Sequence, residues 1–270
     1  EPIFVSGLGE APFRAFVSQY KGLSITDSLV VGVPYGGKNY GTSLVYLDGV
    51  TKATASVRIA HESILAAAQA IAREKMQGLG ARSAAKPDPG IDESLDWDDL
   101  VEQGIATRRL VTNAEVQSAF AGTKFADDDP EALENPQEAY LDLLVIDLGP
   151  PSVAAAVLEK DTLAQLQRFL SINPESEPVL VIDAGRHGLV TEEFIRNTSP
   201  DLLSAEQGGL PVALRDADLL IELKPDVPKG TALILRTDRR LGFNPASEWT
   251  FKVRALRAHG SFQPELGHVD

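Results

Sequence analysis

Between Ala55 and Gln77, the apolar positions Val57, Ala60, Ile64, Ala67, Ala68, Ile71 and Met76 recur with the 3.6-residue period of one helix face, and Gly78 follows as a stop. A helix of this length, rich in alanine, calls for close packing against a sheet. The chain enters it through Asp48-Gly49-Val50-Thr51-Lys52-Ala53-Thr54-Ala55-Ser56, where three hydroxyls are separated by small residues that leave room for a bulky group. The start of a helix carries unpaired N–H groups and the positive end of its dipole, so an anion is favoured there. Ser56 falls in that first turn. From the local residues alone, Thr54 or Ser56 also reads as a simple helix cap.

On the N-terminal side, Phe13, Phe16, Val17 and Tyr20 are spaced by three and four and predict a short amphipathic helix over Glu10 to Tyr20. Leu29 to Val33 and Ser43 to Leu47 read as two strands, and the glycine-rich 34–41 segment reads as a hairpin connection between them. Leu79 to Ile91, with Lys86-Pro87-Asp88-Pro89-Gly90, reads as a linker. The expected division is therefore 1–80, a linker at 81–92, and a mixed second region at 93–270.

In that second region the patterns predict a helix at Leu95 to Gln103 with Trp97, Leu100 and Val101 inward. A strand at Arg108 to Val111 and a helix at Asn113 to Phe120 follow. The acidic 127–136 stretch reads as a solvated loop, because it lacks the alternating ligands and closing glutamate of a calcium loop. Beyond it come a strongly apolar strand at Ala139 to Leu148, a helix from Ser152 to Leu158, and a helix capped by Asp161. Strands are expected at Val179 to Ile182, Leu219 to Leu223, Ala232 to Arg236 and Trp249 to Leu256. The fold class is α+β with a largely antiparallel sheet in the second region.

Composition narrows the chemistry. None of the 270 residues is a cysteine, so these residues hold no disulfide, thiolate metal site or cysteine nucleophile. Against 39 acidic residues stand 25 basic ones, and a net charge of -14 disfavours a nucleic-acid partner. No apolar run reaches the roughly 18 to 20 residues needed to span a bilayer. His61, His187, His259 and His268 are scattered without ligand spacing, so no metal site is predicted. Asp183-Ala184-Gly185-Arg186-His187-Gly188 reads better as a hairpin turn than as a site. Ser56 lacks the Gly-x-Ser-x-Gly elbow of a hydrolytic serine.

The Asp48 to Ser56 stretch resembles the FMN attachment motif of the NosR/NirI family and, more distantly, of RnfG and NqrC. That motif is Asp, two variable residues, Ser/Thr-Gly-Ala-Thr, one variable residue, then Ser/Thr. Asp48, Thr51, Ala53, Thr54 and Ser56 match, whereas Lys52 replaces the glycine. The opening Glu1-Pro2-Ile3, the runs Phe13 to Tyr20 and Ile25-Thr26-Asp27, and Leu110 to Val116 are also similar to that family.

The resemblance implies an NqrC/RnfG-like FMN-binding domain, partial at its N-terminal side, before the second region. FMN would be a phosphoester on Ser56, with Thr51, Ala53, Thr54 and Ala55 shaping the turn and Asp48 orienting it; Glu1 and Pro2 are weaker candidates. It further implies a periplasmic domain of an inner-membrane protein that is an electron-transfer component rather than a self-contained enzyme. The expected partners are a flavin transferase, nitrous oxide reductase or its maturation proteins, and the remainder of the parent membrane protein. The alternative, suggested by Lys52, is a flavin-free docking or sensor module.

Overall fold

The computed structural model describes residues 10–32, 44–50, 53–77, 86–88, 90–123, 125–186, 188–190, 194–200, 202–255 and 265–269. Its N-terminal part holds α1 (Glu10–Ser18), β1 (Ser28–Val31), β2 (Leu44–Leu47) and α2 (Thr54–Gln77). The expected long helix therefore forms, and the short one before it ends at Ser18. Phe16, Leu47, Ala53 and Val57 form a small core, with Phe13, Tyr20, Leu29 and Val31 around it.

The hairpin expectation is corrected. β1 and β2 pair in parallel, Ser28 with Leu44 through Val31 with Leu47. Parallel neighbours need a crossover rather than a tight turn, and nothing in two four-residue apolar runs distinguishes the two pairings. The connecting segment lies outside the described residues.

The second region contains α3 (Trp97–Glu102), β3 (Ala106–Thr112), α4 (Asn113–Phe120), α5 (Pro130–Glu134), β4 (Ala139–Asp147), α6 (Pro151–Val157), α7 (Lys160–Ile172) and β5 (Ser176–Asp183). It continues with β6 (Leu203–Gln207), β7 (Leu210–Val212), β8 (Arg215–Asp216), β9 (Thr231–Asp238), a 3-10 turn at Arg239–Leu241, β10 (Thr250–Arg254) and β11 (Glu265–Val269). Five strands pair in the antiparallel order β3-β4-β5-β9-β8, and four in the antiparallel order β11-β10-β6-β7.

Sequence explains the layering. Along β4, β5 and β9, alternate residues enter opposite cores, so these strands read as continuous apolar runs rather than as apolar-polar alternation. Leu143, Val145, Val181 and Leu235 meet Leu203, Ala205, Phe251 and Val253 of the second sheet. Leu144, Ile146, Leu180, Ile182 and Ile234 meet Leu100, Val153, Val157 and Leu166 of the helices.

Other local expectations shift. Val101 faces solvent, while Leu100 of α3 is fully buried. An Asp96–Asp99 capping box starts that helix. The acidic stretch contains α5, capped by Asp129, whose carboxylate Arg186 engages at 2.6 Å. Asp161 lies inside the first turn of α7 rather than capping it. Leu219 to Leu223 forms no strand, only one bridge from Leu223 to Leu158. The Asp183 to Gly188 stretch is not a hairpin between sequential strands, since β5 pairs with β4 and β9.

Two polar side chains of α2, Glu62 and Arg73, tie it to the second region. Glu62 accepts from the Arg215 Nε at 2.9 Å and from the Ser199 backbone N–H at 2.5 Å. Arg73, nearly fully buried, donates to the carbonyls of Gln207, Leu210 and Pro211 at 3.3, 3.3 and 2.8 Å. Those oxygens surround the β6–β7 turn, so the guanidinium closes a hairpin that local sequence would leave open. Arg73→Ala is expected to cost about 2 to 3 kcal/mol, through lost charge-assisted hydrogen bonds and a cavity under Gly242. Urea unfolding checks it; a loss below about 0.5 kcal/mol would show that the contact is idle.

Candidate functional site

α1 positions the entry to the hydroxyl-rich turn. The Gln19 side chain accepts from the Asp48 backbone N–H at 2.8 Å and donates to the Asp48 carbonyl at 3.0 Å, which fixes the chain as it leaves β2. Asp48 is itself exposed. Ala53 N–H then donates to Val50 O at 3.0 Å, and Val57 N–H makes the first helical bond, to Ala53 O, at 2.9 Å. Burial of Ala53 and Val57 against the small core sets the rotation of α2 at this end.

Thr54, Ala55 and Ser56 are thus the first three residues of the helix, and their N–H groups precede its first internal bond. Ala55 is exposed and Ser56 half-buried. With a 100° turn per residue, Ser56 lies near Ile59 on the helix surface. Ile59 is 44% exposed there. Such a turn offers a nucleophilic oxygen, small neighbours and free N–H donors to a phosphate group. Of the residues singled out from sequence, Asp48, Ala53, Thr54, Ala55 and Ser56 occur in this continuous strand-to-helix passage, and Thr51 and Lys52 lie outside the described residues. Glu1, Pro2, His187 and His259 lie outside them too.

A second feature was not anticipated. Arg58, His61, Glu62, Leu65 and Gln69 of α2 line a cleft of about 840 Å³, whose other walls come from β1 and from the β6–β8 part of the second region. Ser56 is not among its lining residues. The Tyr20 hydroxyl and His61 Nδ1 lie 2.6 Å apart. Burial, aided by Arg58, pushes the His61 pKa down to about 4, so the imidazole is neutral at pH 7, and burial raises the Tyr20 phenol. The signal was present in the sequence: polar residues at 58, 61, 62, 69 and 73 gather along one face of a helix otherwise read for its apolar stripe.

Among the described residues no group of His, Asp and Glu is arranged to hold a metal ion. Nor is any described helix long and apolar enough to cross a membrane.

No protein-family profile and no solved structure matches the chain. Curated relatives do. It is 26% identical over 271 residues to the regulatory protein NosR of Stutzerimonas stutzeri, covering 96% of this chain and 36% of that protein. With NosR of Pseudomonas aeruginosa the identity is 23%, at the same coverage. The protein NirI of Paracoccus denitrificans is 26% identical over 249 residues, 91% of this chain and 32% of NirI. The chain thus spans about a third of the length of these relatives, and over that span it is similar to the NosR and NirI proteins.

Proposed function

We propose that this chain is the extracytoplasmic flavoprotein domain of a NosR-like membrane protein, carrying FMN as a phosphoester on Ser56. In this reading it passes electrons in support of the activity, maturation or expression of nitrous oxide reductase in denitrification. The observation that carries the reading is the place of Ser56: a half-exposed hydroxyl in the first turn of a 24-residue helix, beside an exposed alanine and ahead of the first internal hydrogen bond.

These residues fit a phosphoester. The N–H groups of Thr54, Ala55 and Ser56 would hold the phosphate oxygens, and the helix dipole favours the negative charge. Ala55 leaves the approach open, and Gln19 fixes the strand end that leads into the turn. When bound, FMN supplies one- and two-electron transfer that no side chain of this chain provides. A covalent link keeps the cofactor on a domain outside the cytoplasm, where dissociated FMN would be lost.

The partners in this reading are a flavin transferase, nitrous oxide reductase or its maturation proteins, and the rest of the parent membrane protein. The substitution of lysine for the motif glycine at position 52 favours one other reading, a flavin-free docking module. Periplasmic co-expression with a transferase separates the two: the domain is expected to fluoresce as a flavoprotein on a denaturing gel. A dark wild-type band that becomes fluorescent on Lys52→Gly would favour the docking module.

A further inference from the structure

β9 is longer than the strand that covers it. It runs from Thr231 to Asp238, and β5 pairs with all eight of its residues on one side. On the other side β8 sets only Arg215 opposite Arg236 and Asp216 opposite Leu235, and the Ala217 N–H donates a last bond to the Ile234 carbonyl at 2.8 Å. The next bonded pair of that ladder would be Leu219 with Ala232. The chain turns away instead. Asp218 takes a left-handed φ of 57°, and Arg196 donates to its carboxylate at 2.9 Å and to the Leu219 carbonyl at 2.9 Å.

Backbone groups point to alternate sides along a strand, so Ala232 directs its N–H and carbonyl as Ile234 does, away from β5. No described strand lies beside it there. A cavity of about 500 Å³ does, with Gly230 and Ala232 of the open edge in its lining. Leu219, Ile221, Leu223 and Val227 give it apolar walls, and Leu220, which also lines it, is 79% exposed. We propose that this edge docks an extended acidic peptide, which adds itself as a strand beside Ala232 in the place that Leu219 leaves.

Charge selects the occupant. The chain carries a net charge of -14, yet this cavity is lined by Arg196, Lys224 and Lys229 against a single acid, Asp218. Arg196 already engages that acid, so no acid of the lining is left for the two lysines. Glu222 and Asp226 are exposed neighbours of the lysines in sequence but do not line the cavity. Main-chain bonds to an open edge hold any extended segment, and side chains then decide which one. Those of an added strand alternate between two faces, so apolar residues meet the walls around Ala232 while acidic ones between them reach the lysines. A second copy of this chain suits the edge less well, because two bodies of such negative charge repel.

The proposal does not rest on flavin attachment, since no residue of the turn entering α2 lines this cavity. The test is a fluorescence-anisotropy titration of the whole 270-residue protein with a short labelled peptide of alternating glutamate and valine, beside one of alternating lysine and valine. Saturable one-to-one binding of the acidic peptide is expected, at least roughly tenfold tighter than that of the basic one. Ala232→Pro removes the outward N–H but no bond to β5, and proline is accepted on an edge of this kind, so binding should fall at least roughly tenfold in a folded protein. Lys224→Glu combined with Lys229→Glu should reverse the preference and admit the basic peptide, a gain that a damaged fold does not produce. Absent binding of the acidic peptide, unchanged affinity in folded Ala232→Pro, or an acidic preference that survives the double charge reversal would overturn the proposal. A dimer in sedimentation that Ala232→Pro abolishes would also overturn it, by assigning the edge to a second copy.

Discussion

Replacing Arg239 by methionine is expected to cost about 3 to 5 kcal/mol of stability at pH 8, and only about 1 kcal/mol at pH 5. Arg239 follows β9 and turns back over β5. Its Nη1 donates to Glu177 Oε2 at 2.5 Å, Nη2 donates to the Pro174 carbonyl, and Nε lies 3.7 Å from Glu175. Glu177 is 1% exposed, and Asp147 of the neighbouring strand lies against it. Gly149 leaves room for this pair, because a Cβ there would come within 2.0 Å of Glu177 Oε1. Methionine keeps most of the stem volume but removes the guanidinium that, among the described residues, is the one cation bonded to Glu177. At pH 8 a buried carboxylate would then be uncompensated; at pH 5 it is already protonated. Urea unfolding at the two pH values checks the difference, and an equal loss at both would refute the ionic account.

The same cluster sets the pH dependence of the wild type. Burial, then the Asp147 charge, raises Glu177 from 4.5 to about 7 despite Arg239, and burial raises Asp147 as well. The folded state therefore holds a proton that the unfolded state releases between about pH 4.5 and 7. Stability from this group is complete below the unfolded value and lost as pH rises through the folded one. The size is roughly 3 kcal/mol for a shift of this extent.

Much of the fold could be read from the residues. The helical period at Val57, Ala60 and Ile64, and the apolar runs Leu143 to Ile146 and Val179 to Ile182, are local signals, because one element displays each pattern by itself. What was missed depended on partners far away in the chain. Leu29 and Val45 carry no mark of parallel pairing. β6 and β7, with Ser204 and Glu206 between apolar residues, look like polar chain until Arg73, 134 residues from Gln207, closes the hairpin. Leu219 to Leu223 has the composition of a strand but only a single bridge to make.

The candidate site divides in the same way. The hydroxyls at 51, 54 and 56 preceding a helical period were legible, since a helix N-terminus is a local object. The cleft was not. Glu62 and Arg215 are 153 positions apart, and only the packed helix shows that Gln69 and His61 face a shared space rather than solvent.

Covalent flavin on Ser56 is the central claim, and its expected effect is the all-or-none one. Ser56 is the single member of the turn given a bond to the cofactor, so Ser56→Ala should abolish loading, whereas Ala55→Ser should leave it intact. Neither change reaches the cores that hold the sheets, because Ala55 is exposed, Ser56 is half-buried, and neither belongs to those cores. The measurement is the intact mass of the domain after periplasmic co-expression with a flavin transferase, beside a flavinylated relative as positive control. A mass increase of one FMN in the wild type, mapped to the peptide containing Ser56 and absent from Ser56→Ala, is the predicted result. An unmodified wild type beside a loaded control, or an increase that survives in Ser56→Ala, would contradict it.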